Sequence, residues 1–208
     1  MDVLPLVFST GWASGVNAYL VVLLAGLLGR YGGVEGIPPA LERTDVLVVA
    51  AVLFAVEFVA DKIPYLDSAW DAVSTFVRPV VGAALGILIA GESGDLNEVV
   101  GGLVGGGTAL ASHSVKAGFR LGVNTSPEPV SNIGTSVVED GLVATVVLLA
   151  IDHPWLAAGV AAVLLVSGGV LIVLLWRKIR QAIRAVRARF SGPPAAGPPA
   201  SGPAPPVA

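Results

Sequence analysis

Six long apolar runs constrain this chain more than any other feature of its sequence. The runs lie at residues 4–30, 46–60, 72–90, 99–121, 133–151 and 155–176. A helix needs about 20 mainly apolar residues to cross the hydrocarbon core of a bilayer, and a mean hydropathy of +0.81 fits that environment. The sequence therefore predicts an all-α, polytopic membrane helical bundle with about six transmembrane helices.

The composition excludes several function classes. The six runs take up most of the 208 residues, which leaves no room for a soluble catalytic domain. The chain has no Cys, so disulfides, thiolate catalysis and Cys-ligated metals are excluded. We expect no cofactor.

The distribution of Lys and Arg predicts the orientation. A basic cluster follows the sixth run and contains Arg177, Lys178, Arg180, Arg184, Arg187 and Arg189. Basic residues favour the cytoplasmic side of a membrane protein. With an even number of spans, both the N- and C-termini are predicted to be cytoplasmic, in the plasma membrane.

Three regions follow from this pattern. Residues 1–176 form the predicted transmembrane bundle, and residues 177–190 form a basic helix. Ile179 and Ile183 recur at helical spacing in that helix, which predicts an amphipathic helix that binds anionic lipid headgroups rather than nucleic acid. The alternative is a simple stop-transfer anchor. Residues 191–208, rich in Pro, Ala and Gly, are expected to be disordered.

Small residues predict how two of the helices meet. They recur every four positions in the third and fourth runs, at Gly82, Gly86, Ala90, Gly101, Gly105 and Ala109. Such spacing lets helix backbones approach closely. A short acidic connection joins the two runs, so we expect a tightly packed hairpin within one chain, with a homo-oligomer interface as the alternative.

The first run begins with an unusual polar segment. Gly11, Gly15 and Asn17 interrupt it before it becomes continuously apolar at Leu20. Backbone groups freed at membrane depth are tolerated only against protein or water. The sequence predicts a break or re-entrant turn within residues 11–17, and tight packing of a straight glycine-rich helix is the alternative.

Charges inside the apolar runs need an explanation, because burying them in a membrane costs free energy. Arg78 and Glu139 each lie about seven residues from the predicted cytoplasmic end of their runs, which is about 10 Å along a helix. A short internal similarity between the two runs also aligns them, although such a match can arise by chance. Equal depth and opposite charge predict a buried Arg78–Glu139 ion pair.

Other polar residues collect at the same level of the predicted bundle. Glu57, His113, Lys116 and Asp140 belong to this group. By contrast, charges at the ends of runs can reach water. We therefore expect solvated side chains at Asp61, Lys62 and Arg120.

Four segments resemble a family of bacterial membrane proteins. They read GWASGVNAY at residues 11–19, VEFVADKIPYLDSAWD at 56–71, RP at 78–79 and NTSPEPVSN at 124–132. The chain resembles the family known as domain of unknown function 4126 over about residues 8–152. This resemblance implies a multi-span fold in a bacterial inner membrane, but it implies no activity.

One of these segments contains a candidate metal site. Asp67 and Asp71 have three residues between them and would share one face of a helix. Such a pair can hold Mg²⁺ against a diphosphate. Helix capping or surface charge is the alternative explanation.

Three classes of function are open at this point. The leading one is a small-solute or ion transporter or channel. Its predicted pathway consists of Asn17, Glu57, Arg78, His113, Lys116, Glu139 and Asp140. The alternatives are a non-catalytic scaffold, whose ion pairs only specify helix packing, and an intramembrane enzyme that acts on a phosphorylated lipid. In such an enzyme Asp61, Asp67 and Asp71 would bind metal, and His113, Lys116 or Arg120 would bind phosphate.

Overall fold

The computed structural model describes residues 3–123 and 129–190, and these ranges contain six α-helices and no strand. The helices are α1 (Val3–Gly32), α2 (Thr44–Ala60), α3 (Pro64–Ser93), α4 (Glu98–Val123), α5 (Pro129–Asp152) and α6 (Pro154–Phe190). The predicted all-α helical bundle is confirmed.

The first helix forms the centre of the bundle. α1 packs against α2, α3, α4 and α5, and it supplies much of the hydrophobic core through Trp12, Val16 and Val21. Val143 and Val146 of α5 complete this core. Because α1 is enclosed by its neighbours, any polar group on it must find a protein partner.

The predicted break in the first helix is confirmed, and it lies at Asn17. This residue has φ −149° and ψ 93°, which is extended backbone inside an otherwise helical segment. Its side-chain Oδ1 accepts a hydrogen bond of 3.0 Å from the backbone N–H of Leu20. Asn17 thus acts as an N-cap for the second half of α1. The helix continues to Gly32, so the re-entrant alternative is wrong.

Tight packing also occurs in this part of α1. A Cβ added to Gly11 would overlap the Thr108 side chain and lie 2.7 Å from the Gly105 carbonyl oxygen, and one on Gly15 would overlap Ser112. The first half of α1 therefore lies directly against α4. The sequence analysis gave a break and close helix packing as alternatives, and the structure contains both.

Small residues join α3 and α4 as the sequence predicts. A Cβ on Gly86 would overlap the carbonyl oxygen of Gly101, and a Cβ on Gly82 would lie 2.7 Å from that of Gly105. Gly94 ends α3 at φ +68°, a left-handed conformation that favours glycine. Gly82 and Gly86 thus pack against α4 of the same chain. A homo-oligomer stays a prediction.

Within residues 3–123 and 129–190, four helices are long and apolar enough to cross a membrane. The segments are Val3–Gly32, Tyr65–Ser93, Val130–Asp152 and Pro154–Arg187. α2 has 17 residues, and its Val48, Val49 and Val52 are more than half exposed, as expected beside lipid. The six predicted spans correspond to six helices, while membrane crossing by α2 and α4 stays a prediction.

The chain divides into two units, residues 1–172 and residues 173–208. In the second unit, the described side chains of residues 173–187 are exposed, and the Arg180 guanidinium lies 5.3 Å from the Trp176 ring centre. Trp176 lies inside α6 rather than at its end. Lipid binding by this basic segment stays a prediction, and the tail at 191–208 lies outside the described residues, as do residues 124–128.

The contact between α3 and α4 generates a first prediction. Gly86→Val should destabilise the protein by about 1–3 kcal/mol, because the added side chain must displace the backbone of α4. Gly107→Val is the matched control, since a Cβ there meets nothing within 4 Å. Thermal unfolding in detergent should show a lower midpoint for Gly86→Val alone, and equal midpoints would contradict the described packing.

Candidate functional site

Charged side chains are buried together at the end of the bundle where α2 ends and α3 begins. We call this group the ionic network. Its members are Asn17, Glu57, Asp61, Asp67, Asp71, Arg78, His113, Lys116, Arg120, Asn132, Glu139 and Asp140. They come from α1 to α5, and all but Glu139 and Asp140 are almost fully buried. The predicted pathway residues all belong to this network.

Helical spacing brings these side chains to common faces. On α3, Asp67, Asp71 and Arg78 are separated by four and seven residues, which keeps them on one side of the helix. On α4, His113, Lys116 and Arg120 follow at intervals of three and four residues. Two polar stripes therefore face each other across the close contact between α3 and α4.

Arg78 binds partners other than the one expected. Its Nη2 donates to Glu57 Oε1 at 2.6 Å, and its Nη1 lies 3.3 Å from Asp71 Oδ1. Nη1 also donates to the Gly15 carbonyl oxygen at 3.4 Å. The expected Arg78–Glu139 ion pair is wrong: Glu139 takes Arg120 and Lys116 instead, because α2 rather than α5 faces Arg78.

His113 of α4 contacts two side chains of α3, Arg78 and Thr75. Its Nδ1 lies 2.7 Å from Arg78 Nη1, and its Nε2 lies 3.0 Å from Thr75 Oγ1. A guanidinium can only donate, so Nδ1 accepts and the ring proton lies on Nε2. The imidazole is therefore neutral in this arrangement.

Lys116 is surrounded by acceptors. Its Nζ lies 3.2 Å from Asp61 Oδ2, 3.4 Å from Glu139 Oε2 and 3.5 Å from Glu57 Oε1. It also donates to the Val16 carbonyl oxygen at 3.0 Å. One ammonium group is thus shared by three carboxylates and a backbone oxygen.

Arg120 makes the largest number of polar contacts in the network. Its Nη2 lies 2.6 Å from Glu139 Oε2 and 3.2 Å from Asp61 Oδ2. Its Nη1 donates to Asn132 Oδ1 at 2.9 Å and lies 3.7 Å from Asp67 Oδ1. Arg120 and Asp61 are each 1% exposed, so the expectation that they are solvated is wrong. Arg120 thus connects Asp61, which follows α2, to Glu139 of α5.

Lys62 is only partly solvated. Its Nζ donates to the Phe58 carbonyl oxygen at 2.6 Å, lies 3.0 Å from the Phe58 ring centre and contacts Ser136 at 3.5 Å. Desolvation lowers the pKa of Lys62 below its usual value. Lys62 is therefore a half-buried cation at the edge of the network.

The break at Asn17 supplies backbone ligands for the network. In a continuous helix the N–H of Leu20 would bind the carbonyl of Val16. Here it binds Asn17 Oδ1 instead, which leaves the Val16 carbonyl for Lys116 and directs that of Gly15 toward Arg78. The polar interruption of α1 is thus part of the site.

Asn17 also ties α1 to α5. Its Nδ2 donates to Asp140 Oδ1 at 2.9 Å. The second oxygen, Asp140 Oδ2, is buried and has no hydrogen-bond partner among the described residues, and the same is true of Glu57 Oε2 and Asp61 Oδ1. Buried acceptors of this kind need a proton, a cation or water.

Negative charge exceeds positive charge in the described network. Five carboxylates, from Glu57, Asp61, Asp67, Asp71 and Glu139, contact the three buried cations Arg78, Lys116 and Arg120, and the sixth, from Asp140, accepts from Asn17. The half-buried Lys62 adds a fourth cation. Each of the buried cations serves at least two carboxylates. With every group ionised, the network would still carry uncompensated negative charge in a low-dielectric interior.

The candidate metal pair has cationic neighbours. Asp71 lies beside Arg78, and Asp67 lies beside Arg120. Within the described residues, no group of three His, Asp or Glu side chains is arranged to hold a metal. The metal site stays a prediction, and each of its two carboxylates is offered a guanidinium instead.

Two cavities reach the network. A groove of about 560 Å³ reaches it at Lys116 and Glu139, and a cleft of about 190 Å³ reaches it at Asp71 and Arg120. A single polar cleft joining Asn17 and Arg78 to Glu139 would have been the clearest sign of a transport pathway, but neither cavity is lined by Asn17 or Arg78. Among the described residues, these two cavities border different parts of the network.

Sequence reasoning missed three central members of the site. Asp61 and Arg120 lie at helix ends, were expected in water and were assigned to a site only in the enzyme alternative, and Asn132 was not assigned to a site. The four-residue interval between Lys116 and Arg120 was the available signal, because it places both side chains on one helix face.

Long apolar helices and a polar cluster enclosed between them define a helical membrane protein. The family described as "Domain of unknown function (DUF4126)" matches residues 4–178, so the chain belongs to that family. Neither a curated protein nor a solved structure matches the chain. The family provides no activity, so function must be argued from the site.

The revised pairing generates a second prediction. In a double-mutant cycle, Arg78→Leu and Glu57→Leu should couple by more than about 1 kcal/mol in unfolding free energy, because the two groups are in contact. Arg78→Leu and Glu139→Leu should couple more weakly than this first pair, because Arg78 and Glu139 do not contact each other and are linked only through Glu57 and Lys116. Chemical unfolding in mixed micelles measures both cycles, and the reverse ranking would restore the Arg78–Glu139 pair.

Proposed function

We propose that this protein transports a small ion or solute across the membrane and that the ionic network is its polar site. The observation that carries the proposal is the excess of buried carboxylates over buried cations. Uncompensated charge at membrane depth is costly and marks ion pathways and proton relays. A proton or a cation that enters the network would relieve this charge.

The site gives less support to the alternative that the protein is a non-catalytic scaffold. Ion pairs that only specify helix packing are best balanced, because each unpaired buried charge costs stability. Here Lys116 contacts three carboxylates, while one oxygen of Asp140 has no hydrogen-bond partner in the part of the chain that the structure describes. An enzyme that uses Asp67 and Asp71 as metal ligands would first have to separate them from Arg120 and Arg78.

The break in α1 also supports transport. Transporters commonly place interrupted helices at their substrate sites, where freed backbone groups bind ions. In this chain the carbonyl oxygens of Gly15 and Val16 contact cationic side chains. If Arg78 and Lys116 both moved away, these two carbonyl oxygens could bind an incoming cation.

The basic residues after the sixth run support cytoplasmic termini. In that orientation the network lies in the half of the bundle nearer to the cytoplasm, because α2 ends and α3 begins there. Protons or cations would reach it from the cytoplasmic side.

Ion flux into liposomes tests this function. Purified protein is reconstituted with a pH-sensitive dye inside the vesicles, and a potassium diffusion potential drives proton entry. A parallel assay with a sodium dye covers an alkali cation. Asp140→Asn removes one charge with little change in shape and keeps the acceptor for Asn17. It should slow the flux by about tenfold or more, as a barrier change of about 1.4 kcal/mol would.

Glu92→Gln is the matched control, because Glu92 is an exposed acid at the end of α3. It should conduct like the original protein. Proton and sodium fluxes equal to those of protein-free liposomes, in a folded sample, would reject the proposal. Equal flux in Asp140→Asn would remove Asp140 from the pathway and contradict the role given to the network.

Cysteine labelling tests the direction of access. The chain lacks Cys, so Ser136→Cys and Leu148→Cys place single thiols on α5. Ser136 is buried beside Lys62, whereas Leu148 is about half exposed on the apolar surface. A membrane-impermeant thiol reagent added from the cytoplasmic side should label Ser136→Cys and leave Leu148→Cys unmodified. Protection of both thiols would contradict water entry to the network.

A further inference from the structure

A groove opens between α4 and α5, and side chains of α1 and α6 also line it. Its volume is about 560 Å³, within the range of about 300–1,000 Å³ typical of small-molecule sites. Trp12, Phe119, Leu142 and Leu164 give it mainly apolar and aromatic walls. An apolar body that enters from the surrounding membrane would fit these walls.

One wall of the groove is charged. Lys116 and Glu139 both line it. The Glu139 side chain is 14% exposed, compared with 0–8% for the other carboxylates in the buried salt bridges. Glu139 is therefore the carboxylate of those salt bridges that a ligand in the groove can approach.

The positive charge of Lys116 is less available than the negative charge of Glu139. Its side chain is 2% exposed, and three carboxylates and the Val16 carbonyl oxygen surround its Nζ. Glu139 in turn shares Arg120 with Asp61 and Asp67. Because the network has more carboxylates than cations, the groove ends at a region of net negative charge.

We propose that this groove binds a hydrophobic organic cation, with its apolar body between α4 and α5 and its positive centre near Glu139. The charge of the network complements such a ligand, and Trp12 and Phe119 supply aromatic surface for its apolar body. As a statement about the transported solute, the inference rests on the proposed function. Binding itself is a separate property and is tested separately.

Tetraphenylphosphonium and tetraphenylborate are suitable probes, because they have nearly the same shape and opposite charge. Binding of each is measured by equilibrium dialysis on the full chain in lipid nanodiscs. Tetraphenylphosphonium should bind saturably with one site per chain. Tetraphenylborate, measured in a separate dialysis because the two ions precipitate together, should show no saturable binding beyond that of empty nanodiscs. Empty nanodiscs report partition into lipid.

Two glycines on α5 provide matched variants. Gly134 lines the groove, Gly141 does not, and a Cβ on either meets nothing within 4 Å. Gly134→Leu should fill the groove and weaken tetraphenylphosphonium binding by about tenfold or more, since the contacts of the apolar body are lost. Gly141→Leu should bind normally. Glu139→Gln should also weaken binding, and Gly134→Leu keeps the test valid if that variant does not fold.

Several outcomes would overturn the inference. Preferential binding of tetraphenylborate would identify Lys116 as the dominant charge. Equal binding by Gly134→Leu and Gly141→Leu, or binding no greater than that of empty nanodiscs, would mean that the groove holds only lipid chains. If tetraphenylphosphonium does not bind but the protein still conducts protons or sodium, the proposed function stands and this inference is rejected. If tetraphenylphosphonium binds saturably but the protein carries no proton or sodium flux, the binding site stands and the proposed function is rejected.

Discussion

A helix that is interrupted inside a membrane must find partners for the backbone groups that it releases. In α1 the interruption is at Asn17, whose side chain replaces the Val16 carbonyl as the acceptor for the Leu20 N–H. The released oxygens of Gly15 and Val16 accept hydrogen bonds from Arg78 and Lys116. The break thus fixes two buried cations, and these cations in turn attract the carboxylates of α2, α3 and α5.

This arrangement is possible only because the helices approach closely. Gly11 and Gly15 bring α1 onto α4, and Gly82 and Gly86 bring α3 onto α4. With larger residues the backbones would separate, and the side chains of α3 and α4 could not reach the carbonyl oxygens of α1. The small residues therefore set the distance between helix backbones, and the long charged side chains make polar contacts across it.

The network combines rigidity with an electrostatic imbalance. Arg78, Lys116 and Arg120 each bridge at least two carboxylates, so removing one of them leaves several buried charges without a partner. The excess of carboxylates means that the site can take up further positive charge. In the function that we propose, the groove beside Glu139 gives a cation an approach from the membrane, and the edge near Lys62 gives it an approach from the end of the bundle.

Local patterns in the sequence were sufficient for much of this structure. Run length and hydropathy predicted six helices, the polar interruption predicted the break in α1, and the four-residue glycine spacing predicted the contact between α3 and α4. Each of these depends on residues that are close in sequence.

The choice of ion-pair partners depends instead on residues that are far apart in sequence. Arg78 pairs with Glu57 rather than Glu139, and Arg120 is buried rather than solvated, because the rotation of each helix and its neighbours decide which side chains meet. The sequence by itself determined the membrane class and the position of each polar residue along its helix, whereas only the tertiary structure decided the ion pairs and the groove, since both depend on distances between helices that are remote in the chain.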